Sequence, residues 1–117
     1  MARARISDDA GTVAVQAARA GEVDRNTLAT AVRYSLQLLA EKAPGNTLEV
    51  RVPPFAAVQC VEGPRHTRGT PPNVIETDAA TWLDLAAGTI TWAEARASGR
   101  ASASGQRAEL GDLLPVV

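Results

Sequence analysis

The stretch richest in chemically capable side chains is Glu62-Gly63-Pro64-Arg65-His66-Thr67-Arg68-Gly69-Thr70-Pro71-Pro72. It holds the only histidine of the chain, two arginines and a carboxylate, punctuated by turn-forming Gly and Pro. The forked guanidinium donors of Arg65 and Arg68 suit a carboxylate or phosphate. His66 suits a general base or a pH-sensitive contact, and Glu62 adds an acceptor at the start of the loop. The same charges equally fit a solvated hairpin loop that keeps an edge strand soluble. Cys60 lies six positions before His66, and an imidazole can activate a thiol as a nucleophile. Yet Cys60 stands in the apolar run Ala56-Ala57-Val58-Gln59-Cys60-Val61, where a cysteine behaves as a small buried hydrophobe. One His and one Cys fall short of the three or four ligands of a zinc site. The carboxylates form no calcium loop, and no glycine-rich phosphate cradle is present. These residues predict no assembled catalytic site, no metal and no cofactor.

A second group is apolar. Trp82 and Trp92 fall on consecutive short helical patterns with Leu85 between them, and Tyr34 and Leu38 widen the apolar arc of a long helix. Large aromatics beside small residues can wall a cavity with few polar groups, the usual form of a small-molecule site. Ordinary helix-on-sheet packing and a homodimer contact are the competing uses of the same residues.

The elements that must position these groups are legible from caps and periodicity. Ser7, Asp8 and Asp9 open a helix whose Ala10, Val13, Ala14, Ala17 and Ala18 recur at helical spacing up to Gly21. Asp24 caps a longer helix to about Lys42, with Leu28, Val32, Ser35, Leu36 and Leu39 on one face. Then the period changes to two. Leu48, Val50 and Val52 predict a strand with one buried face, and Phe55–Val61 predicts an antiparallel partner after Pro53-Pro54. Asn73–Thr77 reads as a third strand. Asp78 caps a short helix closed by Gly88, and Thr91 with Glu94 forms a capping-box pattern for another ending at Gly99. Arg100–Ser104 reads as a strand of small residues. A final helix is predicted from about Gln106, carrying Leu110, Leu113 and Leu114.

With 117 residues, 45% hydrophobic and 21% charged, the chain suits one globular domain. A net charge of -1 argues against nucleic acid as a partner. Lys42 is the only lysine among twelve basic residues, so eleven are arginine, which with the abundant Ala points to a GC-rich bacterial source. A single cysteine cannot form an internal disulfide and suits a reducing compartment. No apolar run serves as a signal peptide or spans a membrane. The expected location is the cytoplasm.

The order of long helix, three strands, two short helices, strand and terminal helix resembles the sterol-carrier protein family. Glu76–Gly88, where an Asp opens a helix after the third strand, carries the resemblance, as do Thr91–Gly99 and the ending Ala101–Gly105 with Gln106–Leu114. The loop Val61–Val74 is similar to a stretch of small stand-alone actinobacterial proteins grouped with the sterol carriers. The resemblance implies an α+β fold with a five-stranded mixed or antiparallel sheet covered by helices, and an apolar tunnel between the layers. The resemblance covers roughly residues 27–114; with no linker dividing the chain, one domain is expected over 1–117, with an N-terminal helix in 1–23 and a core over 24–114. Pro115-Val116-Val117 is not a peroxisomal targeting ending, so the eukaryotic lipid-shuttling role does not carry over. The same fold serves as an accessory domain in bacterial thiol-dependent isomerases, and a fold alone does not fix a function. The expectation is a non-catalytic binding protein for an apolar or amphipathic ligand. Tyr34, Leu38, Trp82, Leu85 and Trp92 would line the cavity, and Arg65, His66 and Arg68 would meet an anionic end. The alternative is an interaction or accessory module, a homodimer or enzyme subunit, that docks through residues 62–72.

Overall fold

Each helix begins where the sequence supplies a cap. In the computed structural model, which describes residues 4–21, 23–63 and 72–117, Ser7 Oγ accepts from the Ala10 N–H and starts α1, Asp8–Ala20. Asp24 Oδ1 accepts from Thr27 N at 2.7 Å and starts α2, Arg25–Lys42. Asp78 does the same for Thr81 at the head of α3, Ala79–Ala87. Thr91 and Glu94 form the reciprocal capping box of α4, Trp92–Ala97. Each cap satisfies a donor that the first helical turn leaves orphaned.

The strands are β1 Leu48–Val52, β2 Ala56–Cys60, β3 Asn73–Thr77 and β4 Ala101–Ser104. They form one mixed sheet in the order β2-β1-β3-β4. β1 pairs antiparallel with β2 (Val50 opposite Val58) and parallel with β3 (Val50 opposite Ile75). β3 pairs antiparallel with β4. The α+β class and the mixed sheet stand as expected, but the described residues contain four strands where the resemblance implied five.

Alternation along the strands decides which face is dry. Leu48, Val50, Val52, Cys60, Ile75 and Ala101 are buried on the inner face. Glu49 and Arg51, which pair with each other, lie on the outer face with Gln59, Glu76 and Ser102. Onto the inner face pack α2, through the fully buried Val32, Leu36 and Leu39, and α3, through Trp82 and Leu85. The indole N–H of Trp82 donates to Ser35 Oγ at 2.8 Å, and that hydroxyl donates to the Ala31 and Val32 carbonyls one turn back. Thus the one polar atom of the largest core side chain is satisfied by the Ser35 hydroxyl on the buried face of α2.

The arc read for α2 is the buried one, whereas that of α1 is rotated. α1 buries Gly11, Ala14 and Val15, and leaves Val13 65% exposed. The cause is a close approach: a Cβ built on Gly11 would lie 2.2 Å from the Tyr34 ring, so only glycine lets α1 settle there.

The terminal helix expected from Gln106 does not form. A turn at Gly105 and a single 3-10 turn, Gly111–Leu113, precede an extended arm to Val117. Leu110, Leu113 and Leu114 have helical spacing, but Gly111 and Pro115 leave too short a run to nucleate an α-helix. Instead, Asn73 Oδ1 accepts from Arg107 N, Leu110 is fully buried, and Lys42 Nζ donates to the Leu113 and Pro115 carbonyls.

Gly11→Ala is expected to lower stability by about 1–3 kcal/mol through overpacking against Tyr34. Urea unfolding would measure it, and faster amide exchange confined to α1 would identify displacement of that helix as the cause.

Candidate functional site

A cleft of about 350 Å³ opens where α1, α2, the end of α3 and the C-terminal arm converge. From α1 come Thr12, Val15, Gln16 and Arg19, whose spacing of three, four and seven places them on one helical face. From α2 come Tyr34 and Leu38, one turn apart. Ala87 of α3 and Val116 and Val117 of the arm complete the wall. The cleft is therefore amphipathic, with apolar side chains from α2, α3 and the arm facing hydroxyl, amide and guanidinium groups along the α1 side.

Several polar contacts hold this geometry. Tyr34 Oη donates to Asp8 Oδ1 at 2.8 Å, and Arg5 forms ion pairs with both Asp8 and Glu41. The Gln37 side-chain amide binds Ile6 at both ends, accepting its N–H and donating to its carbonyl, each at 2.9 Å. On the opposite wall, Val116 N and Val117 N both donate to the Ala86 carbonyl. Gly88 caps α3 with φ +77° beneath Pro115, a backbone that side chains rarely adopt. Arg19 donates to Thr89 Oγ1 at 2.6 Å, which uses one of the five guanidinium N–H groups.

These contacts leave their mark on titration. The phenol of Tyr34 and the guanidinium of Arg5 hold the Asp8 carboxyl below its ordinary value, and Arg5 does the same to Glu41. The Tyr34 phenol is raised in turn, first by its bond to Asp8 and then by burial.

Of the five apolar residues singled out from the sequence, the structure brings Tyr34 and Leu38 into this cleft. Trp82 and Leu85 are fully buried, occupying the layer between the sheet and the helices with Leu36, Leu39, Leu48 and Ile75. Trp92 lies half-buried on α4 with the Arg96 guanidinium over its ring, 5.9 Å from the centroid. Arg65, His66 and Arg68 lie outside the described residues. Glu62 borders a second, more charged cleft of about 650 Å³ with Lys42, Arg107, Glu109 and Asp112. The α1 residues of the first cleft carried a signal in their spacing, but the stripe of small residues beside them drew the reading of that helix.

A family model described as a bacterial SCP ortholog matches residues 24–116. The chain belongs to this sterol-carrier-like family. No curated protein matches it. The matched stretch begins at the cap of α2, so α1 and its side of the cleft precede it. Among the described residues of this family member, no three His, Cys, Asp or Glu side chains gather as a metal site. No described helix is long and apolar enough to cross a membrane.

Cys60 is fully buried, and desolvation pushes its thiol up to about 11, so it is protonated at neutral pH. Its alkylation by a neutral reagent at pH 7 is expected to be slow in the native protein and fast in denaturant. Rapid native labelling would contradict the burial.

For Asp8 and Glu41 the folded values lie below the unfolded ones. Their contribution is therefore present above the ordinary values of 3.8 and 4.5 and is lost as pH falls through the folded values. Acidification through that range is expected to loosen α1 before the sheet. Comparing amide exchange of the two elements as a function of pH would check the order.

Proposed function

We propose that this protein binds a small amphipathic molecule, holding its apolar part in the cleft between α1, α2 and the C-terminal arm. The single observation that carries the reading is the lining of that cleft. Val15, Tyr34, Leu38, Ala87, Val116 and Val117 offer an apolar body, and Thr12, Gln16 and Arg19 line one side with hydrogen-bonding groups. Removing apolar surface from water drives entry at roughly 25 cal/mol per Å². The polar groups then fix the direction in which a ligand lies, because an unmatched polar end loses its hydrogen bonds to water. Arg19 keeps donors beyond the one given to Thr89, so an acceptor-bearing end suits it.

Binding without turnover is supported by the state of the reactive groups among the described residues. The thiol is neutral and enclosed, and the shifted carboxylates are engaged in holding α1. Family membership supports a lipid-like ligand class, and volume narrows it. At roughly 30 Å³ per water-sized group, a space of 350 Å³ holds about a dozen non-hydrogen atoms, and the remainder of a longer ligand would stay in solvent. A medium-length acyl chain or an aryl acid fits. A whole sterol skeleton, more than twice that size, would leave much of its apolar surface outside the cleft.

Calorimetric titration with a ladder of straight-chain carboxylates tests this. Affinity is expected to rise with chain length up to about decanoate and then level off, with no enclosed binding of cholesterol. Leu38→Trp, which fills the cleft from α2, is expected to weaken the best ligand at least about tenfold while leaving circular dichroism unchanged. Absence of heat for every chain length, or equal binding by the Leu38→Trp protein, would overturn the assignment.

A further inference from the structure

The two clefts share the C-terminal arm as a wall. Leu113 borders the charged cleft, and Val116 and Val117 border the amphipathic one. Beyond the 3-10 turn Gly111–Leu113 the arm has no regular structure of its own. Such a segment stays ordered only where other groups satisfy its backbone and offset the conformational freedom it gives up. Leu110 anchors the start of the arm in the core. Further along, the N–H groups of Val116 and Val117 donate to the Ala86 carbonyl at 2.8 and 3.1 Å. Between these anchors Lys42 Nζ donates to the Leu113 carbonyl at 2.9 Å and, at the longer distance of 3.4 Å, to the Pro115 carbonyl.

Lys42 is the last residue of α2, and Leu38 lies one turn before it on the same helical face. Leu38 lines the amphipathic cleft, whereas Lys42 opens on the charged one. A single face of α2 therefore gives an apolar wall to the first cleft and, a turn later, a cation to the arm that forms its other wall. The three N–H donors of one ammonium allow it to serve both carbonyls at once. Hydrogen bonds from a charged donor are stronger than neutral ones, and a cation at the end of a helix also suits the helix dipole.

We propose that Lys42 is a positioning residue of the amphipathic cleft: it clasps the arm at Leu113 and Pro115 and so holds Val116 and Val117 in the cleft wall before a ligand arrives. The role rests on the ligand binding assigned to that cleft above. A wall that is already ordered costs the ligand nothing to arrange, and such preorganisation raises affinity without adding a contact. Loss of the clasp therefore subtracts the same amount from every ligand that reaches the arm, whatever its length. Filling the cleft acts differently, because it shortens the longest chain that fits.

Lys42→Met, which keeps the aliphatic stem, and Lys42→Arg, which keeps a cationic donor, test the clasp. In ligand-free protein, Lys42→Met is expected to speed amide exchange of Val116 and Val117 at least about tenfold, with β1 and β3 unchanged. Lys42→Arg is expected to restore most of that protection. Against octanoate and decanoate, Lys42→Met is expected to weaken binding about fivefold or more for both chains alike, mainly through faster dissociation. Lys42→Arg is expected to cost about twofold or less. Unchanged exchange at Val116 and Val117 in Lys42→Met overturns the proposal, whether or not any carboxylate binds. Accelerated exchange with undiminished binding overturns it too, as does acceleration that spreads to β1 and β3, the mark of a residue that serves overall stability. Acceleration confined to the arm in a protein whose wild type binds no carboxylate upholds the clasp and sinks the ligand reading of the cleft instead.

Discussion

The hydroxyl of Ser35 sits where the helical layer is joined. A serine in the middle of a buried helix face must satisfy its oxygen internally, and Ser35 does so against carbonyls of its own helix while accepting the indole N–H of Trp82. That bond allows the largest residue of the core to be fully buried with no polar atom stranded. It also fixes α3 relative to α2 in both height and rotation. Because α3 leads directly from β3 and its end carries the Ala86 carbonyl, the position of the C-terminal arm follows from the same contact. The arm, α2 and α3 thus present one continuous surface, and the cleft is the part of that surface which α1 overhangs.

α1 is held differently. Its contact face is Gly11, Ala14 and Val15, and its start is held by a part-buried bond from Tyr34 to Asp8 and by exposed ion pairs of Arg5. Exposed ion pairs contribute little stability singly. The close fit of the Tyr34 ring against Gly11 adds shape matching where large apolar side chains are missing. The family's matched region starts after this helix. The wall that α1 contributes, through Thr12, Gln16 and Arg19, sets the polar character of the cleft.

Most of the fold was legible because local signals and tertiary packing agree. Asp24, Asp78 and Thr91 with Glu94 mark helix starts that the backbone adopts, and Leu48, Val50 and Val52 alternate as a one-sided strand must. The terminal segment misled because three leucines at helical spacing serve a buried arm as well as a helix. What decided between them was a set of distant partners, Asn73 and Lys42, that no local window contains. The site was less legible for a related reason. Trp82 and Leu85 carry the composition of a cavity wall, yet their buried contacts make them core. Thr12, Val15, Gln16 and Arg19 have the spacing of a helical face, but which face of α1 is covered depends on Gly11 meeting a ring that lies 23 positions along the chain. The pairing of Val116 and Val117 with Ala86 has no sequence signature at all.

The parallel ladder between β1 and β3 has a meaning beyond sheet topology. On one side of it lies a local hairpin, β1 with β2. On the other lies a second contiguous unit running from β3 through α3 and α4 to β4. The two stretches of chain meet in the sheet along this single ladder, so it is a seam between halves rather than a product of local turn chemistry. Neither half has both a complete sheet and a covering helix until the seam closes, because α2 belongs to the first and Trp82 to the second. Closing that ladder therefore joins two stretches of chain that each lack part of the sheet and part of its cover.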